Sequence, residues 1–330
     1  MIQSIACGYW QPILLLLVWL FGSACSDKSK FKSHVAEEAT APALPMPQPP
    51  PAADSGDSGK EKPLTLQDTF KVSLKVDIVF AVDTSPTMDG EIEATKMNLG
   101  RLIAALNAGK LDHRIHLLMD SVFPLPAGAD PRKIAFVAQR VYSNDAISRL
   151  NALFDGLFVA SYVNDQNMPL AAPIPFRADA KPEIVVITDD NGQGMGNLAT
   201  DFNTKSLLKN YSFNSIVGLP NSTVNDNCRL ASVGTEYMAL SQKTGGSVLD
   251  LCSTDWSKLI TRLSDDIVKR SVSFVLSQTA RSVQDIKPTL DGKLLAPNEF
   301  SYDAASKTLT LTAVNLIKDG SNLTVSYVVK

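Results

Sequence analysis

The sequence predicts an α/β fold with a doubly wound, mostly parallel sheet, followed by a small C-terminal antiparallel β module. From about residue 71 to 270, apolar runs alternate with helix-like segments, as strands covered by helices on both faces require. From about residue 271 onward, apolar residues alternate singly with hydroxyl residues. That period of two is typical of half-buried antiparallel strands.

Composition divides the chain into four predicted segments. Residues 1–24 form a signal peptide, and residues 25–70 form a linker rich in Pro, Ala and Ser. Residues 71–270 form the α/β domain, and residues 271–330 form the antiparallel module. The linker either holds a folded head away from a membrane or is a disordered leader without a tethering role.

A short apolar core near the N-terminus ends in small residues before a cysteine. The core, residues 13–21, is too short to span a bilayer and indicates an export signal. Either Cys25 is lipidated, as in a bacterial lipoprotein, or the chain is cleaved after Ala24. The first alternative predicts a protein anchored in a bacterial cell envelope, at the outer membrane or facing the periplasm. The second predicts a secreted or periplasmic protein.

The four cysteines favour the lipidated form. Cys7 is lost with the signal and Cys25 carries the lipid, which leaves Cys228 and Cys252 as an even pair. Export places this pair in an oxidising compartment, where disulfides form and persist. We therefore predict a Cys228–Cys252 disulfide.

Within the α/β domain, five apolar runs are predicted as strands, and the segment after the first run as a helix. The helix extends from Met88 to about Asn107, because its apolar residues recur at helical spacing. His113 and His116 lie three apart in the second strand, so they point to opposite faces and do not converge on a metal. The predicted strands are Val76–Val82, Arg114–Met119, Ile184–Ile187, Phe213–Gly218 and Ser247–Leu251.

The turn after the first predicted strand carries an acid and two hydroxyls. Asp83, Ser85 and Thr87 alternate along this turn, so their oxygens can converge on one point. Hard oxygen ligands of this kind suit Mg²⁺, Mn²⁺ or Ca²⁺. A second apolar strand ends in Thr188-Asp189-Asp190, and ligands of open α/β sheets bind beyond the carboxyl ends of the strands. The competing interpretation is that Asp83 or Ser85 only caps the following helix.

The first turn resembles the metal-ion-dependent adhesion site of von Willebrand factor A (vWA) domains. The pattern of that family is Asp-x-Ser-x-Ser, and Thr87 stands here in place of the last Ser, which keeps the hydroxyl. The resemblance implies that Asp83, Ser85 and Thr87 bind a divalent cation. It also implies that Asp189 is the second carboxylate and contacts the cation through water.

The third element of the family site departs from the pattern. vWA domains usually supply a Thr from an intervening loop, but residues 96–187 contain no Thr. We expect Ser143 to take this role, because it lies at the apparent N-cap of a helix, as a loop ligand should.

The similarity covers about residues 76–267 and includes features of exported bacterial vWA proteins, many of them predicted lipoproteins. Phe176-Arg177-Ala178-Asp179-Ala180 and the segment from Gly234 to Leu240 carry this part of the resemblance. In that group one cysteine precedes the Tyr-containing helix and another follows the Gly-Gly strand. Cys228 and Cys252 match these positions.

The expected function is binding of a protein, or of another ligand with an acidic group, through the divalent cation. The alternative is a metal-free structural vWA protein of the cell envelope. A net charge of −3 and the absence of basic clusters argue against nucleic acid. We expect no enzyme, because the sequence lacks a Gly-x-Ser-x-Gly elbow and a metalloprotease helix and has only three His. A metal-assisted hydrolase would need a general base near Asp83, which the sequence does not identify.

Overall fold

The computed structural model describes residues 63–192, 210–224 and 228–329. The predicted signal peptide, Cys25 and the linker up to residue 62 lie outside the described residues. Those described form a mixed α/β structure with one mostly parallel sheet and two smaller antiparallel sheets. The predicted α/β class is confirmed.

The main sheet has seven strands, and β2 is its central strand. In spatial order they are β5 (Tyr162–Val163), β4 (Ile134–Ala138), β3 (Asp112–Met119), β2 (Lys75–Val82), β6 (Lys181–Thr188), β7 (Ser212–Val217) and β8 (Val248–Asp250). All pairs are parallel except β4 with β5. Parallel pairing places the carboxyl ends of β2 and β6 side by side at one edge of the sheet.

Helices pack on both faces of this sheet. Helices α1 (Asp89–Ala108) and α4 (Trp256–Ser271) share an apolar core with one face of β2. Helices α2 (Ala146–Phe154) and α3 (Thr235–Thr244) belong to a second core on the opposite face. Successive side chains of a strand point to opposite faces, so the apolar run of β2 supplies both cores. Among the described residues, no helix combines the length and apolarity needed to cross a membrane.

The antiparallel part forms two sheets, and one of its strands comes from the predicted linker. Residues 65–70 were assigned to the linker, but they belong to β1, which pairs with β14 so that Thr65 lies opposite Val328. This assignment was wrong because most residues of β1 are polar and its partner strand is far away in the sequence. The sheets contain β1 (Thr65–Lys71), β14 (Asn322–Val328), β10 (Lys287–Leu290) and β11 (Lys293–Leu294), and then β12 (Phe300–Asp303), β13 (Thr308–Leu311) and β9 (Ser273–Val275).

The antiparallel strands pack on the α/β part. Leu309 of β13 and Leu323 of β14 are fully buried in the same core as Ile78 of β2 and Leu263 of α4. The apolar side of the antiparallel strands is therefore covered by the α/β part.

Charged side chains bridge the amino ends of the central strands. Arg177 donates from Nε and Nη2 to Asp77 Oδ1, at 2.9 and 2.7 Å, and its Nη1 lies 2.5 Å from an oxygen of Asp112. Its backbone N–H donates to Asp77 Oδ2. Asp77 is 2 % exposed, so Arg177 neutralises a buried carboxylate in β2.

Both histidines of β3 are buried. His116 is fully buried, and its ring stacks on Phe176 with the centroids 4.1 Å apart. The Tyr162 hydroxyl lies 3.4 Å from His116 Nδ1, whereas His116 Nε2 has no hydrogen-bond partner. His113 Nδ1 lies 3.3 Å from the carbonyl oxygen of Leu111.

The predicted disulfide is present in the structure. Cys228 precedes α3 and Cys252 follows β8, with their Cα atoms 5.4 Å apart. Both residues are buried. The bond therefore links the segment entering α3 to the edge strand of the main sheet.

We expect the double variant Cys228→Ser/Cys252→Ser to lose about 3 kcal/mol of unfolding free energy, because the cross-link restricts the unfolded chain. Urea denaturation of oxidised wild type and the variant measures this difference. A reducing agent should destabilise the wild type and leave the variant unchanged. Equal midpoints for oxidised wild type and variant would contradict the prediction.

Candidate functional site

Two buried carboxylates follow the carboxyl ends of the neighbouring strands β2 and β6. Asp83 comes directly after β2 and is 0 % exposed, and Asp189 comes directly after β6 and is 1 % exposed. The backbone N–H of Asp83 donates to the carbonyl oxygen of Ile187 at 2.9 Å, which extends the parallel pairing by one residue. The sheet thus brings together the two acids that the sequence predicted at one site.

Two contacts shape the turn after β2. The backbone N–H of Ser85 donates to Asp83 Oδ1 at 2.8 Å. The hydroxyl oxygens of Ser85 and Thr87 lie 3.0 Å apart. Ser85 is half-buried and Thr87 is exposed, whereas Asp83 is fully buried.

Thr188 connects the two strands and the loop before α2. Its Oγ1 lies 2.8 Å from Asp83 Oδ2 and 2.7 Å from the carbonyl oxygen of Ser143. A hydroxyl has one proton, so Thr188 can donate to only one of these two acceptors at a time. The sequence analysis assigned no role to Thr188, although it lies in the motif that ends β6.

Ser143 lies beside the site, but the reason given for choosing it was wrong. The N-cap of α2 is Asp145, because the helix begins at Ala146. The Asp145 carboxylate accepts from the backbone N–H of Tyr142 and from Arg149 Nε, each at 2.8 Å, and so shapes the loop before the helix. Ser143 contacts Thr188 through its backbone carbonyl, not through its hydroxyl.

Hydrogen bonds hold the turn after β6, but one carboxylate oxygen in it has no donor. The carbonyl oxygen of Asp189 accepts from the N–H groups of Ala231 and Ser232, at 2.9 and 3.1 Å. Asp190 Oδ1 accepts from the hydroxyl of Ser232. In contrast, Asp189 Oδ1 is buried without a hydrogen-bond partner. An uncompensated buried carboxylate oxygen is unfavourable, and a ligand that supplies positive charge would relieve it.

The site concentrates negative charge in a buried place. Burial raises the pKa of Asp83, and the charge of Asp189 raises it further, against the hydrogen bonds from Ser85 and Thr188. Burial also raises the pKa of Glu91 in the first turn of α1, and Asp189 again contributes. The charge of Asp189 is therefore unfavourable for ionised Asp83 and Glu91 in the absence of a cation.

These side chains fit a hard divalent cation. Asp83, Ser85 and Thr87 could supply oxygens directly, and Asp189 offers its open carboxylate oxygen. Throughout the described ranges, no three or more His, Cys, Asp or Glu side chains form a metal-binding group. The candidate site relies instead on hydroxyls beside its two main carboxylates.

Comparison with known proteins gives no family assignment. No protein-family model matches the chain, and no curated protein matches it. Among solved structures, the chain is similar to the pilus adhesin SpaC from Lactobacillus rhamnosus GG in its open conformation, with 11 % sequence identity and a TM-score of 0.31. The match covers 82 % of this chain but only 41 % of that chain. A similarity of this degree assigns neither fold family nor function.

Proposed function

We propose that this protein is an exported vWA-domain protein that binds a divalent cation at the end of its central strands and, through the cation, an acidic group of a protein ligand. Asp83, Ser85 and Thr87 would hold Mg²⁺, Mn²⁺ or Ca²⁺, with Asp189 and Ser143 completing the set. The observation that carries the proposal is that two buried carboxylates, Asp83 and Asp189, follow neighbouring strands. One oxygen of Asp189 has no hydrogen-bond partner.

The acidic ligand follows from the charge balance of the proposed site. A divalent cation there would be neutralised by Asp83 and, less directly, by Asp189, while the two hydroxyls remain neutral. The cation would therefore keep affinity for a further carboxylate from a partner. We expect this open side to face the solvent, because Ser85 is half-buried and Thr87 is exposed.

The position of the protein in the cell is a separate part of the proposal. We propose that Cys25 carries the lipid and that the linker tethers the folded part to the cell envelope. This part is supported by the apolar core of residues 13–21 and by the proline-rich composition that follows Cys25.

Asp83→Asn tests the cation site without disrupting its hydrogen bonds. The Asn carbonyl can accept from the Ser85 N–H, and its amide can donate to Thr188 Oγ1, which then donates to the Ser143 carbonyl. We expect the variant to be at least as stable as wild type in chelator, because a buried charge is removed. Wild type should gain about 3 kcal/mol when the cation is present at about a hundredfold over Kd, and the variant almost nothing.

Calorimetric titration with Mg²⁺, Mn²⁺ and Ca²⁺, together with melting curves, measures both effects. Asp120→Asn is the matched control, because Asp120 follows β3 at the same edge of the sheet and is partly exposed. It should keep the full cation response. If wild type takes up none of the three ions at millimolar concentration, the alternative of a metal-free structural protein replaces the proposal.

A further inference from the structure

Buried polar atoms without a partner are found beside the candidate cation site. Asp189 Oδ1, Glu236 Oε2 and the Tyr237 hydroxyl are three of them. They belong to the turn after β6 and the first turn of α3, which Asn191 joins. Asn191 Oδ1 accepts from the Glu236 N–H at 3.0 Å, and Asn191 Nδ2 donates to Thr235 Oγ1 at 3.1 Å.

Tyr237 is a hydrogen-bond donor in a negatively charged environment. It is 0 % exposed, and its hydroxyl has no hydrogen-bond partner. Burial raises the pKa of this phenol, and the charges of four carboxylates raise it further, with Asp83 the largest of them. The hydroxyl therefore stays protonated at neutral pH and remains able to donate.

None of the four carboxylates accepts a hydrogen bond from the Tyr237 hydroxyl, and Glu236 Oε2 has no partner at all. Both oxygens of Asp83 and both oxygens of Asp145 accept from other groups, and Asp190 Oδ1 accepts from Ser232 and Asn191. The Tyr237 ring cannot easily turn toward a different partner. It lies in the core beneath α3 and is parallel to the Phe213 ring, with an interplanar angle of 3° and centroids 6.3 Å apart.

We propose that Tyr237 is a positioning residue of the cation site, and that its hydroxyl donates a hydrogen bond to water that hydrates the bound cation. This inference rests on the proposed function. The hydroxyl lies within electrostatic reach of Asp83, is fixed by packing and has no other partner. A buried hydroxyl without a partner is unfavourable, so a Phe at this position would suit the core better. The hydroxyl gains a hydrogen-bond acceptor only when the hydrated cation is bound.

Tyr237→Phe separates this role from a structural one, because a structural hydroxyl would stabilise the protein with or without the cation. In chelator, we expect the full-length variant to melt at the same temperature as wild type or higher. In calorimetric titrations with Mg²⁺ and with Mn²⁺, its affinity should fall about threefold to tenfold, the factor that one ordinary hydrogen bond supplies. Wild type should also show a tyrosine difference spectrum on cation addition, and the variant should lack it.

Tyr327→Phe is the matched control. The Tyr327 hydroxyl is hydrogen-bonded to Asp68 at 2.7 Å and to Ser277 at 2.8 Å, in the antiparallel part of the protein. This variant should melt at a lower temperature than wild type and bind the cation with unchanged affinity. Equal cation affinity of wild type and Tyr237→Phe, or a lower melting temperature of Tyr237→Phe in chelator, contradicts this inference alone. A wild type that binds none of Mg²⁺, Mn²⁺ and Ca²⁺ contradicts the proposed function itself.

Discussion

Arg177→Met should lower the free energy of unfolding by about 3–5 kcal/mol, because it leaves a buried carboxylate without its cation. Asp77 is 2 % exposed and forms its ion pair with Arg177, which is itself largely buried. Met keeps most of the length and apolar volume of the Arg side chain, so the loss reports mainly the charge. Urea denaturation at neutral pH measures the difference.

Arg132→Met is the matched control for this prediction. Arg132 pairs with Asp130 at 2.9 Å, but its side chain is 88 % exposed, so this change should leave the free energy of unfolding nearly unchanged. Combining Asp77→Val with Arg177→Met should recover part of the loss, since a buried ion pair can be replaced by apolar residues more easily than broken. A loss below about 1 kcal/mol for Arg177→Met alone would show that Asp77 does not depend on Arg177.

His116 should make the protein sensitive to acid. Burial, with smaller contributions from the charges of Arg114 and Arg177, lowers the pKa of His116 from 6.5 to about 3. Below pH 6.5 the unfolded chain takes up a proton on this residue, and the folded protein does not. Stability from this residue is therefore lost as pH falls, by about 1.4 kcal/mol per pH unit and about 4 kcal/mol in total near pH 3.

His116→Phe isolates this contribution. Phe keeps an aromatic ring beside Phe176 and removes the Nε2 atom that has no partner. We expect the variant to be close to wild type at pH 7.5 and increasingly more stable than wild type below pH 6, because other acid-sensitive groups act equally in both proteins. Unfolding free energies measured by urea at a series of pH values give the difference. Parallel pH profiles would contradict the assigned pKa.

The sequence predicted those parts of the fold whose signal is local. The long buried strands β2, β3, β6 and β7 and the helix α1 coincide with apolar runs or helical spacing. The sequence analysis missed β4, which has five residues, and β5, which has two. It also missed β1, whose strand conformation depends on pairing with β14 at the far end of the chain.

In the candidate site, too, only the features encoded by a short stretch of sequence could be predicted. Asp83, Ser85 and Thr87 lie in one turn, so their convergence could be predicted from spacing alone. Thr188 and Tyr237 could not be assigned, because their importance depends on contacts between segments far apart in the sequence. Ser143 shows a further limit, since its contact with Thr188 is made by a backbone carbonyl, which every residue possesses.

The pairing of Thr65 with Val328 also affects the order in which the parts of the protein can fold. Strand β1 is made before the whole α/β part, whereas its hydrogen-bonding partner β14 is made after it. Closing so long a loop carries a large entropic cost, so this pairing follows the folding of the local α/β units. Until β14 has been made, β1 therefore has no partner strand. We therefore expect β1 to become protected from proteases only after β14 has been made and has paired with it.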